Sequence, residues 1–375
     1  MNNSTATRTL VDGSRLIIEA LVQAGADVYV GYPITPSNWL YAYAQQRFPA
    51  FMAAPDEITA LQWAAGFATT GKLPVTATSF PGFALMLETL NMMVMMELPV
   101  VIVLSQRMGP STGSATTGAQ GDLLLLRGTI SGGYPIPVFS PSNLEDCWQL
   151  AGEAARVAVA LRTPVVLLTS KEMVMTHHTL NIDQLPTIPP VKWPFFLGEG
   201  DYQPYRVTEG DVPPFLPVGD SRFQVRFNAS THDATGLIRK ATPEALANTR
   251  RLRDKIMNHL TEFTFLEHQA GDNDQVLVIS YDISAEAARE SLKELAREGR
   301  RPGLLVMKTL LPFPTEAWKI IDRYQHKVVV EENLSGLLAE LLWGNRLPEE
   351  VHRVNQIGSL ITPSQITAEV KKWLR

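Results

Sequence analysis

Cysteine is the scarcest residue. Among 375 residues only Cys147 carries a thiol, so the chain closes no intrachain disulfide, cannot supply the cysteine-rich ligand sets of zinc ribbons and cannot hold an iron–sulfur cluster. Runs of like charge are missing too. Lysine and arginine number 33 against 38 aspartates and glutamates, a formal net charge of −5, and no basic patch for nucleic acid or an anionic membrane stands out. No uninterrupted apolar run approaches the ~18 residues of a membrane span, and the N-terminus, MNNSTATRTLVDGSRL, lacks an apolar core of signal-peptide length. A cytoplasmic protein is the simplest expectation. Neither G-x-G-x-x-G nor G-x-x-x-x-G-K-[ST] occurs, which removes the common routes to dinucleotides and nucleoside triphosphates.

What is present reads as α/β. From about Leu10 to Lys171, short β-branched runs alternate with longer Ala- and Leu-rich stretches separated by Gly and Pro, the pattern of repeated βα units and a doubly wound parallel sheet. The expected strands are Val28–Tyr32, Val75–Ser79, Val100–Ser105 and Val165–Thr169. The expected helices are 15–24, capped by Asp12 and Ser14, then Asp56–Gly71 and Phe83–Glu97. Charge is sparse here: only Glu88, Glu97, Arg107, Asp122 and Arg127 are charged between Leu73 and Leu144. That fits either a subunit interface or a buried central sheet.

Between Pro186 and Pro217 lie eight of the 26 prolines, interleaved with Trp193, Phe195, Phe196, Tyr202 and Tyr205. Disordered segments are poor in aromatics, so this stretch reads as an ordered strap. Residues 243–268 read as an Arg-rich helix, and βα alternation restarts near 271. The expected division is 1–185 as a first α/β domain, 186–270 as connector and helix, and 271–375 as a smaller α/β domain.

Gly109-Pro-Ser111-Thr-Gly113 matches G-x-S-x-G, but no helix follows Ser111, so the strand–turn–helix context of a nucleophilic serine is absent. The adjacent His177 and His178 read as surface residues for want of further metal ligands. The methionines from Met86 to Met96 read as core or subunit contacts, and Glu331 and Glu332 as caps of a following helix.

The informative constellation is a set of loops expected at the carboxyl edge of the first sheet, where open α/β folds bind ligands. They are Gly31-Tyr-Pro-Ile-Thr-Pro36, Pro55-Asp-Glu-Ile58, Thr78-Ser-Phe-Pro-Gly-Phe83 and Gln106-Arg-Met-Gly-Pro-Ser-Thr-Gly113. With Arg162-Thr-Pro-Val-Val166, His232-Asp233, Leu311-Pro-Phe-Pro314 and Val330-Glu-Glu-Asn-Leu334, their order and spacing resemble the alpha subunit of 2-oxoacid:ferredoxin oxidoreductases over nearly the whole chain.

The resemblance implies a pyrimidine-type thiamine-diphosphate-binding domain followed by a transketolase C-terminal-like domain. It implies oxidative decarboxylation of a 2-oxoacid, 2-oxoglutarate or related, with coenzyme A as substrate and ferredoxin as acceptor. A beta subunit would carry the diphosphate and Mg2+ site and a [4Fe-4S] cluster, in a heteromer of alpha–beta pairs, with a gamma domain either separate or absent. Glu57, nine residues before Gly66, matches the glutamate that bonds the cofactor's pyrimidine ring and so promotes loss of the thiazolium proton. Alone it would read as a helix N-terminal carboxylate worth ~0.3–1 kcal/mol. Arg107 matches the arginine that grips the oxoacid carboxylate. Thr35, Pro36 and Phe83 are expected beside the cofactor, and Thr112, Thr116 and Thr117 along the substrate pocket. The family's 2-oxoglutarate members commonly carry a lysine in the loop after Pro-Ser-Thr-Gly; here Gly113-Ser-Ala-Thr-Thr-Gly-Ala-Gln-Gly121 has no cation. Two rivals remain: a subunit of a lipoamide-linked 2-oxoacid dehydrogenase or transketolase-like enzyme, and a non-catalytic scaffold.

Overall fold

The computed structural model of the chain describes residues 8–374. Its first sheet has seven strands in the spatial order Thr309–Leu311, Val138–Phe139, Pro164–Ser170, Val100–Gln106, Pro74–Thr78, Val28–Gly31 and Ala50–Ala53. All neighbours are parallel except the first pair. The strands Pro74–Thr78, Val100–Gln106 and Pro164–Ser170 are buried at every position, because helices cover both faces of a parallel sheet. Helices Gly13–Gln23 and Leu144–Ala160 pack on one face, and Glu57–Thr69 and Phe80–Met96 on the other. The sparse charge between Leu73 and Leu144 follows in part from this central burial.

The second sheet runs Val351–Asn355, His326–Glu331, Val276–Ser280, Gly303–Met307 and Leu266–Gln269, the last strand antiparallel. Leu266–Gln269 lies upstream of residue 271 yet pairs here, while Thr309–Leu311 crosses to the edge of the first sheet. The two sheets also share one hydrophobic cluster, which joins Leu126 and Ile136 to Leu305, Leu310 and Leu338.

Several boundaries differ from the sequence reading. The helix expected through residue 268 starts at Pro243 as expected, capped by Thr242, whose side chain accepts from Ala245 N, but ends at Asn258. A 3-10 turn and the edge strand Leu266–Gln269 follow, because pairing with Gly303–Met307 overrides local helical preference. The helix expected from Phe83 starts at Phe80, with Pro81 in its first turn. Asp12 caps the first helix alone, accepting from Arg15 N at 3.0 Å; Ser14 instead donates to Val174 O at 2.7 Å. Glu331 does cap Leu337–Trp343, accepting from Leu338 N and Ala339 N at 2.7 and 3.1 Å.

The strap expected over Pro186–Pro217 lies across the body, in an irregular stretch that runs on to Thr242. The fully buried Arg162 gathers it: Nη1 donates to Pro204 O, Pro213 O and Pro214 O at 3.3, 2.9 and 3.1 Å, and the guanidinium lies 5.3 Å from the Phe215 ring centre. Arg162 Nε donates to Glu97 O at 3.3 Å. The Glu97 carboxylate, itself fully buried, pairs with Arg251 and with Lys255 Nζ at 2.7 Å. Burial opposes its charge, but the two cations win and hold Glu97 well below the usual carboxylate range. One buried ion cluster therefore ties the strap and the helix Pro243–Asn258 to the first sheet.

No helix among the described residues is long and apolar enough to cross a membrane. Removing one member of a buried ion cluster leaves its partners uncompensated, so Glu97→Gln is expected to cost about 3–5 kcal/mol of stability. The contribution of Glu97 is present above the ordinary carboxylate pKa and fades as pH falls through the depressed one. Denaturant unfolding at neutral pH, with proteolysis of the strap as second readout, checks this; a loss under about 1 kcal/mol would mean the cluster does not hold the strap.

Candidate functional site

The spatial order of the first sheet reverses between Val28–Gly31 and Pro74–Thr78. From Val28–Gly31 the chain adds Ala50–Ala53 on one side, then crosses back to build the rest of the sheet on the other. Such a reversal leaves a crevice beyond the carboxyl ends of the two strands. The loop after Val28–Gly31 is pinned there by Ser37, whose Oγ donates to Thr78 O at 2.8 Å and to Ser105 Oγ at 3.0 Å. Thr35 is half-buried and precedes a cis peptide to the buried Pro36.

Glu57 enters from the helix that makes the return crossing. Asp56 caps that helix, accepting from Thr59 N at 2.7 Å, and leaves Glu57 as its first residue. The Glu57 side chain is 7% exposed, and its carboxylate accepts no hydrogen bond from any described residue. It lies against Gly82 in the first turn of Phe80–Met96: a Cβ on Gly82 would sit 2.6 Å from Glu57 Cγ and Oε1 and 2.2 Å from Thr78 Oγ1. Glycine is required because the carboxylate and a helix backbone approach this closely. Next to it, Phe83 is fully buried in the same core cluster as Ala60, Leu61 and Met86. A buried carboxylate without a protein partner, beside a helix stripped of its side chain, fits the ring nitrogen of an aminopyrimidine as hydrogen-bonding partner.

Arg107 follows the strand Val100–Gln106 and is 6% exposed. Its Nη1 donates to Thr35 O at 2.6 Å, which brings two of the expected residues together, while its Nε is buried with no partner. Burial lowers the arginine's pKa, and the charges of Asp122 and Glu57 oppose that shift. The loop beyond is a small hairpin: Met108 N donates to Thr117 O at 2.8 Å and Ser114 N to Met108 O at 2.9 Å. Thr112 and Thr116 are exposed, and Thr117 is half-buried. Ser111 sits at the exposed tip with φ +55 and no helix follows it, so the structure, like the sequence, gives it no nucleophile's setting.

Three residues of this region went unassigned by sequence reasoning. Gln106 and Gln120 are fully buried. Gln120 is bonded throughout to the second sheet's loops: its N donates to Glu332 O at 2.8 Å, its Nε2 to Tyr281 O at 2.8 Å, and its Oε1 accepts from Glu332 N at 2.6 Å and Ser284 Oγ at 3.2 Å. Asp122 is 5% exposed and has an unpartnered buried Oδ2. Burial pushes its carboxyl up to about 7 against the pull of Arg107. The available signal was an acid in a stretch with only four other charges. Behind the loop, burial also raises Glu332 to about 7, and Asp282 well above the ordinary range.

Residues 19–245 match the family described as pyruvate flavodoxin/ferredoxin oxidoreductase, thiamine diphosphate-binding. The chain belongs to this family. The 2-oxoglutarate synthase subunit KorA of Methanothermobacter thermautotrophicus is 29% identical over 94% of this chain and 97% of its own length. A solved 2-oxoglutarate:ferredoxin oxidoreductase from Magnetococcus marinus, with 2-oxoglutarate, coenzyme A and succinyl-CoA bound, is 25% identical with a TM-score of 0.91, over 97% of this chain and 65% of that one. A split gene transketolase, an inactive beta4 tetramer, shares the fold at 17% identity and TM-score 0.54, over 97% of this chain and 98% of that one. The chain is an alpha-type subunit of a 2-oxoacid:ferredoxin oxidoreductase.

In this alpha subunit, Gly82→Ala is expected to press on Thr78 Oγ1 and displace the Glu57 carboxylate, while the helix itself tolerates alanine. Turnover of the assembled enzyme should fall about 100-fold, the penalty for roughly ångström-scale misplacement of a catalytic group. Steady-state rates with a thermal melt check it; near-normal turnover would show that Glu57 tolerates a shifted neighbour.

Proposed function

We propose that Glu57 and Arg107 carry this chain's share of the oxidative decarboxylation of a 2-oxoacid to an acyl-CoA. Glu57 bonds the pyrimidine ring of thiamine diphosphate, with Thr35, Pro36 and Phe83 shaping the crevice around that ring. Once bound, the cofactor supplies a carbon nucleophile and an electron sink for the carbon–carbon cleavage. Arg107 holds the substrate carboxylate by charge-assisted hydrogen bonds, and Thr112 and Thr117 belong to the loop that closes over the substrate. The single observation that carries the reading is the juxtaposition of a buried, unpartnered Glu57 with a buried Arg107 whose Nε is free.

The remaining parts come from partners. A beta subunit supplies the diphosphate and Mg2+ site and the [4Fe-4S] cluster, and ferredoxin takes the electrons. The open face of the Glu57 helix supports such a partner: Ile58 and Trp63 are 42% and 38% exposed, and among the described residues nothing outside the helix lies within 4 Å of a Cβ placed on Gly66. Residues 1–185 form the unit that receives the pyrimidine, 186–270 the strap and its anchoring helix, and 271–375 most of the transketolase C-terminal-like unit.

Substrate choice turns on charge. Residues 108–121 carry no charged side chain, so a second carboxylate, as in 2-oxoglutarate, finds no cation in this loop and depends on the partner for one. Viologen-dye reduction by the assembled enzyme with coenzyme A, across pyruvate, 2-oxoglutarate, branched-chain and aryl oxoacids, tests the reaction. One or more substrates should reduce the dye, and Arg107→Lys should raise KM for them about 10- to 100-fold through loss of the planar fork. Silence across the panel with the cofactors bound would refute the reading.

A further inference from the structure

The loop that begins with Arg107 is folded so that its end returns to its start. Gln106 Oε1 accepts from Asp122 N at 3.1 Å, and Gln106 Nε2 donates to Asp282 Oδ2 at 3.4 Å. This closure returns Asp122 to the residue that precedes Arg107, and both residues are about nineteen-twentieths buried. They do not form an ion pair, yet each feels the other's charge. The Asp122 carboxylate accepts no hydrogen bond from any described residue, and its Oδ2 and the Arg107 Nε are both buried and unpartnered. Apart from the bond of Arg107 Nη1 to Thr35 O, no described residue takes up either charged group, so the pair is left to respond to what enters the crevice.

We propose that Asp122 is a positioning residue that sets the affinity of Arg107 for the substrate carboxylate and takes up one proton from solvent when a 2-oxoacid binds. This rests on Arg107 as the carboxylate's partner. With Asp122 neutral, the guanidinium is free to bind an anion. With Asp122 ionised, an arriving carboxylate meets a like charge in a region of low dielectric, and the strain is relieved when Asp122 Oδ acquires a proton. Substrate binding and protonation are thus linked, and each favours the other.

Arg107 is the charge that bears on Asp122, and the charge of Glu57 also bears on Arg107. Asp282, which accepts from Gln106 Nε2, is fully buried, and burial raises its carboxyl well above the ordinary range. Tyr281, facing Asp122 from the second sheet's loop, stays neutral because burial and the surrounding acids raise its phenol well above the ordinary value. Glu332 is the competing titrating group. It accepts from Ile361 N at 3.1 Å and feels the charge of Glu172.

The test measures proton uptake by the assembled enzyme on binding oxamate, an unreactive analogue of a 2-oxoacid, by calorimetry in two buffers of different ionisation heat. The wild type should take up more than about half a proton at about pH 8 and almost none at about pH 5.5. Asp122→Asn should take up none at either pH. Its KM for the turned-over oxoacid should stay near the wild-type low-pH value, where the wild-type KM rises toward tenfold per pH unit, and its kcat should stay within about threefold. Glu332→Gln should behave as the wild type. Uptake that persists in Asp122→Asn, or disappears in Glu332→Gln, overturns the proposal, as does an Asp122→Asn enzyme with uniformly weaker binding and an unchanged pH slope. Should Asp122→Asn fail to assemble, absence of uptake by the wild type at the higher pH overturns it, and uptake retained in Glu332→Gln supports it. An enzyme that binds oxamate with Asp122-dependent uptake but turns over no 2-oxoacid would refute the decarboxylase reading and leave this one standing; one that does not bind oxamate would remove Arg107's role and this proposal with it.

Discussion

The bonds that Gln120 makes with the loops of the second sheet fix the far end of the loop that begins at Arg107. Between Gln106 and Gln120 the chain makes only a short hairpin, and its residues 111–113 are exposed, so the loop has little internal stability. Its far end is held because every polar group of Gln120 is satisfied by Tyr281, Ser284, Glu332 or Asn333. A single such bond contributes about 1 kcal/mol net, but breaking one inside this buried seam strands a partner at a cost of about 1–3 kcal/mol. The second sheet supplies neither Glu57 nor Arg107. Its contribution is to hold the returning end of the loop, and thereby Arg107 and Asp122, at the carboxyl edge of the first sheet.

The two halves of the site use burial differently. Around Glu57 the sequence removes bulk: Gly82 lacks a side chain where one would strike the carboxylate, and Ala60 and Ala64 line the buried side of the helix. Around Arg107 it removes competing charge, with none between residues 108 and 121. A low dielectric then magnifies the few charges that remain. At the strap the same physics serves stability instead. Glu97, Arg251 and Lys255 are paired directly, whereas Arg107 and Asp122 keep unpartnered atoms.

Much of this was legible in the sequence, for physical reasons. Strands such as Val100–Gln106 and Pro164–Ser170 are buried on both faces and read as unbroken apolar runs, and Asp56 announces its helix by capping it. Glu57, Thr35 and Arg107 stand out through the family resemblance; alone, Glu57 reads as a helix N-terminal carboxylate and Thr35 as a turn residue. The helix Asn38–Arg47 was missed because only Leu40 and Ala44 of its residues are buried, too few for a periodic stripe. Residues 266–268 of the edge strand Leu266–Gln269 read locally as helix because their conformation is set by partners in Leu304–Met307, 35 to 41 residues away in sequence, which local pattern does not register. Gln120 and Asp122 were invisible as site residues, since their roles arise from contacts with Tyr281, Glu332 and Gln106 that no spacing encodes.

The central claim is that the Glu57 carboxylate of this chain activates thiamine diphosphate held between subunits. Near-ultraviolet circular dichroism of the assembled, cofactor-loaded enzyme tests it most directly, because it reports the imino tautomer of the bound aminopyrimidine. The wild type should show that signal; Glu57→Gln should lose it while retaining bound cofactor, with turnover reduced about 100- to 10,000-fold, the range for a lost acid–base partner. A Glu57→Gln enzyme with the same signal and unchanged turnover would contradict the claim and leave this chain as a scaffold for chemistry performed elsewhere in the complex.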